Sequence, residues 1–156
     1  MSEGRRSAPA RGDTIAVAAD HAGVALKSAI AKELEALGYR VLDLGTNSPD
    51  SVDYPDFAKA VSDAIAGARA RWGVLVCGSG IGMGMAANRN PAVRAAVVHD
   101  AVSARLSRQH NDANVLALGA RLIGDEVARD CVRVFFSTPF DGGTRHERRV
   151  AKLGGG

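Results

Sequence analysis

Aromatic side chains are scarce in this sequence: one Trp, two Tyr and four Phe among 156 residues. A core cannot rest on large rings here and must come from small aliphatic side chains packed closely between regular elements. Cysteine is scarce as well. Cys77 and Cys131 form no CxxC and supply no disulfide framework, so a reducing, cytoplasmic setting is expected. No apolar run reaches the length of a membrane span, and no membrane partner is expected. The polar stretch 1–13 lacks the apolar centre of a signal peptide and reads as a flexible leader. The four histidines make no HxH or HExxH pair, and no carboxylate cluster accompanies them. Neither a metal nor another cofactor is expected. Charge of one sign does not dominate either: 20 Lys and Arg face 17 Asp and Glu, a net +3. Nucleic-acid binding by the molecule as a whole is therefore not expected.

What is present is Ala, Gly and short β-branched runs that alternate with helical patterns. Thr14–Ala19, Arg40–Leu44, Gly73–Cys77, Arg94–Val98 and Val115–Leu118 read as five strands. Between the first two, Leu26, Ile30, Leu34 and Leu37 recur at helical spacing, and Gly38 stands where a helix ends. Asp53 or Asp56 with Pro55 opens a second helix, whose apolar face is Phe57, Val61, Ala64 and Ile65. A short helix runs through Met85 to Asn88. Asp100 caps one containing Val102 and Leu106, and Asp125 opens one with Val127, Cys131 and Val134 on a single face. A last helix is expected from Thr144 to Leu153, followed by a flexible tail at 154–156. The fold class is α/β: a three-layer α/β/α, Rossmann-like domain over 14–153 with a five-stranded parallel sheet.

Ligands in such folds bind at the carboxyl ends of the strands, where three expected strands end in polar groups. The first gives Asp20-His21, the third Cys77 and the glycine loop Gly78-Ser79-Gly80-Ile81-Gly82, the fourth His99-Asp100. Glycines at 78, 80, 82 and 84 clear side chains away, so that backbone N–H groups at a helix start can face an anion. Dinucleotide and Walker patterns do not fit: Met83 stands where GxGxxG needs glycine, and the Walker lysine is missing. Met83 also stands where a thiol phosphatase needs Arg. A thiol beside a helix start is either core filling or a position that favours thiolate. Cys131, mid-helix among apolar neighbours, reads as packing. Asp20 and His21 fit a helix cap or a ligand site equally well. His110, near a helix C-terminus, fits a structural cation. Arg145 and Arg149 are spaced i,i+4, which would point two guanidinium forks the same way, as phosphate recognition needs; a solvated basic face fits too.

Five segments in order are more specific than any one of them. AADHAG (18–23), DYPDFA (53–58), VCGSGIGM and MAANR around 77–89, SRQHNDANVLALGAR (107–121) and GGTRHERR (142–149) resemble the B-type ribose-5-phosphate isomerases, in the group shared with bacterial galactose-6-phosphate isomerase subunits. The resemblance spans about Thr14 to Lys152. It implies an aldose–ketose isomerase with Cys77 as the base and His110 as the acid that opens the sugar ring. It implies substrate-binding positions at Asp20, His21, Tyr54, Gly78, Ser79, Gly80, Ile81, Gly82, Asn111, Arg121, Arg145 and Arg149. It implies no metal, a sugar phosphate as ligand, and a homodimer or dimer of dimers whose active sites take residues from two chains. Ser79 stands where many members carry Thr and keeps the hydroxyl. A branch with a glutamate base at the position of Met83 lacks the cysteine, so this chain matches the cysteine branch. The closing helix is expected to be short.

The resemblance leaves the substrate open among D-ribose 5-phosphate, galactose 6-phosphate, allose 6-phosphate and a four-carbon phosphate. The competing class is a phosphosugar-binding or nucleotide-binding module without catalysis. A nucleic-acid binder using the leader arginines is a distant third.

Overall fold

The computed structural model describes residues 7–154. Residues 1–6 of the leader expected at 1–13 and residues 155–156 of the tail expected at 154–156 lie outside them. Residues 10–13 are tied down: the Gly12 N–H donates to the Gly38 carbonyl at 2.8 Å, and Arg40 Nε donates to the Gly12 carbonyl at 2.9 Å.

Five parallel strands form the sheet, β1 (Thr14–Ala19), β2 (Arg40–Asp43), β3 (Trp72–Cys77), β4 (Ala95–Val97) and β5 (Val115–Gly119). Their spatial order is β2-β1-β3-β5-β4. Among the described residues six α-helices connect and cover them: α1 (Val24–Ala36), α2 (Tyr54–Ala66), α3 (Ile81–Ala87), α4 (Ala101–Asn111), α5 (Asp125–Ser137) and α6 (Gly143–Gly154). This is the expected α/β architecture.

Period-two alternation divides the core into two layers. On one face Ile15, Val17, Trp72, Val74, Val76, Leu116 and Leu118 pack against Leu26, Ile30 and Leu34 of α1, Ala104 of α4, and Cys131 and Phe135 of α5. On the other, Ala16, Ala18, Leu75, Cys77, Val115 and Ala117 pack against Ala58 and Val61 of α2 and Met83 and Ala87 of α3. The small residues have a reason. A Cβ on Gly73 would sit 2.7 Å from Val61, and one on Gly84 would sit 2.6 Å from Val97. Helices and strands approach too closely there for any side chain.

Several expected boundaries hold for the expected reason. Gly38 adopts φ +94 just past α1. Asp100 Oδ1 accepts the Ser103 N–H at 2.7 Å, and those hydrogen bonds hold its carboxyl below the usual range. Asp53 occupies the N-cap position of α2 but makes no side-chain cap bond there. In α4 the buried residues are not the two singled out above, and the α5 face differs in part from expectation. In α4, Val102 and Leu106 are exposed while Ala104, Ser107 and Arg108 are buried. In α5, Val127 is exposed, and Ala128, Cys131, Val132, Phe135 and Phe136 form the buried stripe.

Arg108 explains the first difference. Fully buried, it donates to Asp112 Oδ1 at 2.9 Å and to the Ala113 and Thr138 carbonyls, with its guanidinium over the Trp72 ring. A charge inside a core is tolerated when it is paired and hydrogen-bonded in this way. Cys131 is packing, as expected, and burial pushes its thiol up to about 11. No described helix is long and apolar enough to cross a membrane.

Candidate active site

The carboxyl ends of β1 and β3 are neighbours in the sheet, since the two strands pair. The residue after each strand therefore falls at one place. The Asp20 N–H donates to the Val76 carbonyl at 3.1 Å, which seats the turn after β1 beside the last residues of β3. Asp20 is buried, and its Oδ1 accepts the Ala22 N–H at 3.0 Å. Gly23 lets this turn close, because a Cβ there would meet the Val76 carbonyl oxygen at 2.7 Å.

Cys77 ends β3 on the face covered by α2 and α3. The chain then turns through Gly78–Gly80 into α3. Gly80 takes φ +78, and its N–H points back to donate to Cys77 Sγ at 3.1 Å. A Cβ on Gly80 would press on the Leu118 backbone at 3.0 Å, so conformation and space both require glycine. Ser79 Oγ accepts the Ile81 N–H at 3.2 Å. Cys77 as a whole is only 4% exposed, with this loop bonded to its sulfur.

Two side chains from other elements lie against the loop. The Arg121 N–H donates to the Gly78 carbonyl at 3.0 Å, and its guanidinium lies 3.3 Å from where a Gly78 Cβ would be. The Tyr54 ring lies so close to Gly82 that a Cβ there would be 2.5 Å from it. His21 completes the rim. Its Nδ1 accepts the Val52 N–H at 3.2 Å, which fixes the ring and leaves Nε2 as the free nitrogen. Asp20, His21, Tyr54, Cys77, the loop Gly78–Gly82 and Arg121 are thus brought together by one chain.

Lys27 was not expected among them. It is buried, and its ammonium donates to Asp43 Oδ1 at 2.7 Å, the Thr46 carbonyl at 2.8 Å and Asn47 Oδ1 at 2.7 Å. That grip anchors the β2–α2 segment, which also bonds Ala19 at the end of β1 through Gly45 and Thr46. The sequence does carry a signal: Lys27, Ile30 and Leu34 fall at i, i+3, i+7, on the buried stripe of α1.

The remaining expected residues are elsewhere. His110 and Asn111 end α4, which has returned to the amino-terminal end of the sheet. There the Asn114 carbonyl accepts from Gly73, near the start of β3. Cys77 stands four residues further along β3, a rise of roughly 13 Å. Arg145 and Arg149 are exposed on α6, which packs on α4. The His110 ring stacks on His146 of α6, with centroids 4.7 Å apart and 6° between planes. His110, Asp141 and His146 hold potential metal-ligand atoms within 4.8 Å of one another. An ion bound to imidazole lies in the ring plane, and two nearly parallel stacked planes cannot share one, so this arrangement does not fit a metal. A cavity of about 560 Å³ also lies at that end, lined by Asn88, Arg89, Asn111 and Leu153 among others. None of the Cys77 group lines it.

One chain therefore separates the candidate residues into two groups, Cys77 with its glycine loop and His110 with α6. The family model for ribose/galactose isomerases matches residues 15–153. The chain belongs to the ribose/galactose isomerase family. Ribose-5-phosphate isomerase B of Escherichia coli is 44% identical over 139 residues, 89% of this chain and 93% of that protein. A Bacillus subtilis relative named more broadly, as a sugar phosphate isomerase, is 39% identical over 89% of this chain and 93% of its own. The crystal structure of a Thermotoga maritima ribose 5-phosphate isomerase superposes with a TM-score of 0.89 at 49% identity, covering 92% of this chain and 99% of that one.

Proposed function

We propose that this member of the family interconverts D-ribose 5-phosphate and D-ribulose 5-phosphate, with Cys77 as the base. Membership of the family makes the chain a sugar phosphate isomerase. The observation that carries the finer reading is the Gly80 N–H aimed at Cys77 Sγ, on a loop ringed by Asp20, His21, Tyr54 and Arg121.

In this reading His110 first gives a proton to the ring oxygen O4 as the C1–O4 bond breaks. The O1 hydroxyl releases its proton to water, and C1 becomes an aldehyde. Cys77 thiolate then takes the proton from C2, and the electrons run to O1 to give an enediolate. The thiol returns the proton to C1 while the O2 hydroxyl proton passes to O1 through solvent, so O1 ends as a hydroxyl and O2 as the carbonyl. Atoms and charge balance without a redox partner. In the same reading, loop N–H groups and the Ser79 hydroxyl donate to the oxygens where charge develops. Arg145 and Arg149 hold the phosphate, with His21, and so supply binding energy remote from the reacting carbons.

Two half-sites at opposite ends of one chain favour a homodimer in which each site takes Cys77 from one chain and His110, Asn111, Arg145 and Arg149 from the other. Exposed apolar side chains flank the edge strand β4: Ile81 and Met85 on α3, Val97 on β4, Val102 and Leu106 on α4. A second copy would cover that band.

The test is turnover across four-, five- and six-carbon sugar phosphates, alongside solvent exchange of the C2 proton followed by NMR. D-ribose 5-phosphate should show the highest kcat/KM, and Cys77→Ala should abolish exchange while substrate still binds. A better six-carbon substrate would move the assignment within the family. Exchange at the wild-type rate in Cys77→Ala would remove the thiol from the chemistry.

A further inference from the structure

Nothing in the proposed chemistry uses His146 or Asp141, yet both crowd the ring given the first proton transfer. His146 and Val150 are spaced i,i+4 on α6; Val150 is buried and seats the helix, and His146 lies on the His110 ring. From the other side, the Asp141 N–H donates to the Gln109 carbonyl at 3.1 Å, fixing the α5–α6 connection one residue before His110. His110 stands at the last turn of α4, and a lone imidazole there would be free to turn about two side-chain bonds. A face-to-face partner removes that freedom.

We propose that His146 is a positioning residue for His110: its imidazole face fixes the plane of the His110 ring and supports the positive charge that ring carries as a proton donor. This rests on the reading of His110 as the ring-opening acid. A cation over a neutral π face is attracted, whereas two stacked imidazolium rings repel. The arrangement therefore needs His146 uncharged, and its surroundings favour that. Desolvation lowers its affinity for a proton; His110, Arg145 and Arg149 lower it further, and Asp141 acts in the opposite sense. The same arginines that hold the phosphate thus add to the desolvation and the His110 charge that disfavour a proton on the supporting ring.

The experiment compares His146→Ala, His146→Gln and His146→Phe on D-ribose 5-phosphate, each also in a His110→Asn background. Ala and Gln remove the ring, and kcat should fall about fivefold with KM within about twofold of wild type. Phe restores a neutral aromatic face and should recover most of kcat. In the His110→Asn background none of the three should lower kcat further. The proposal is overturned if Phe is as slow as Ala and Gln, if KM rises while kcat holds, or if the loss persists without His110. His110→Asn alone separates the two ideas. Wild-type kcat in that variant sinks the acid assignment itself, however the His146 variants behave.

Discussion

Cys77 and His110 of one chain stand at opposite ends of the sheet and on opposite faces of it. Cys77 ends β3 on the side covered by α2 and α3, while His110 ends α4, whose buried Ala104 belongs to the layer of α1 and α5. No side-chain rotation brings an imidazole around a five-stranded sheet. If both act on one sugar, they come from different chains.

Mixing inactive variants tests this directly. Cys77→Ala and His110→Ala each lose activity as pure proteins. Unfolded together and refolded, they form half their dimers as mixed pairs, each with one site wholly wild type. Activity should return to about a quarter of the wild-type value. A site completed within one chain gives no recovery, and activity measured against mixing ratio separates the cases.

The same pair shows how far the sequence could be read. The buried strands were legible because β1, β3 and β5 are apolar runs too short for helices, bounded by turns. The candidate residues were legible because polar groups and glycines crowd where those runs stop. Which residues share a cavity was not, since Asp20 and His110 appear side by side in a motif list but are separated by the topology. Buried charge was not legible: Lys27 and Arg108 each find three acceptors inside the fold, although Nη2 of Arg108 is buried without one. The exposed Val102 and Leu106 show the converse, apolar positions left unpartnered by their own chain.

Gly80 is predicted to matter through geometry alone. Gly80→Ala forces a methyl group to φ +78 and onto the Leu118 backbone. The turn must open, and the N–H that donates to Cys77 Sγ moves away. Stability should fall by about 1–3 kcal/mol, and kcat by about one to two orders of magnitude. Gly124→Ala is the control. Gly124 has φ −89 with nothing within 4 Å of an added Cβ, so activity and melting temperature should both hold.

Lys27 is predicted to act on substrate binding from a distance. Lys27→Met keeps the aliphatic stem but leaves Asp43, Asn47 and the Thr46 carbonyl without their shared donor. Asp43 is two-fifths exposed, with 41% of its side chain accessible, and rehydrates in part. The cost should be about 1–3 kcal/mol in a denaturant titration, short of that for a wholly buried pair. The β2–α2 segment then loosens against Ala19 and His21. KM should rise severalfold with kcat less affected, and an unchanged KM would confine Lys27 to stability.

His146 makes the seating of α6 depend on pH, with a sign that can be worked out. Desolvation, His110 and the two arginines hold its affinity for protons below that of a free imidazole, near 6.5. With α6 docked the ring therefore binds fewer protons than with α6 released. Above about pH 7 both forms are neutral and the difference contributes nothing. As pH falls through about 6.5 the released form takes up its proton first, so docking weakens, and the full penalty is reached once the docked ring is also protonated. Among the described helices α6 packs chiefly on α4, so the loss should be local. Hydrogen-exchange protection factors of α6 amides should drop between about pH 7.5 and 5.5 while those of β3 and β5 hold. His146→Phe should abolish that drop; if it persists in this variant, the titrating group lies elsewhere.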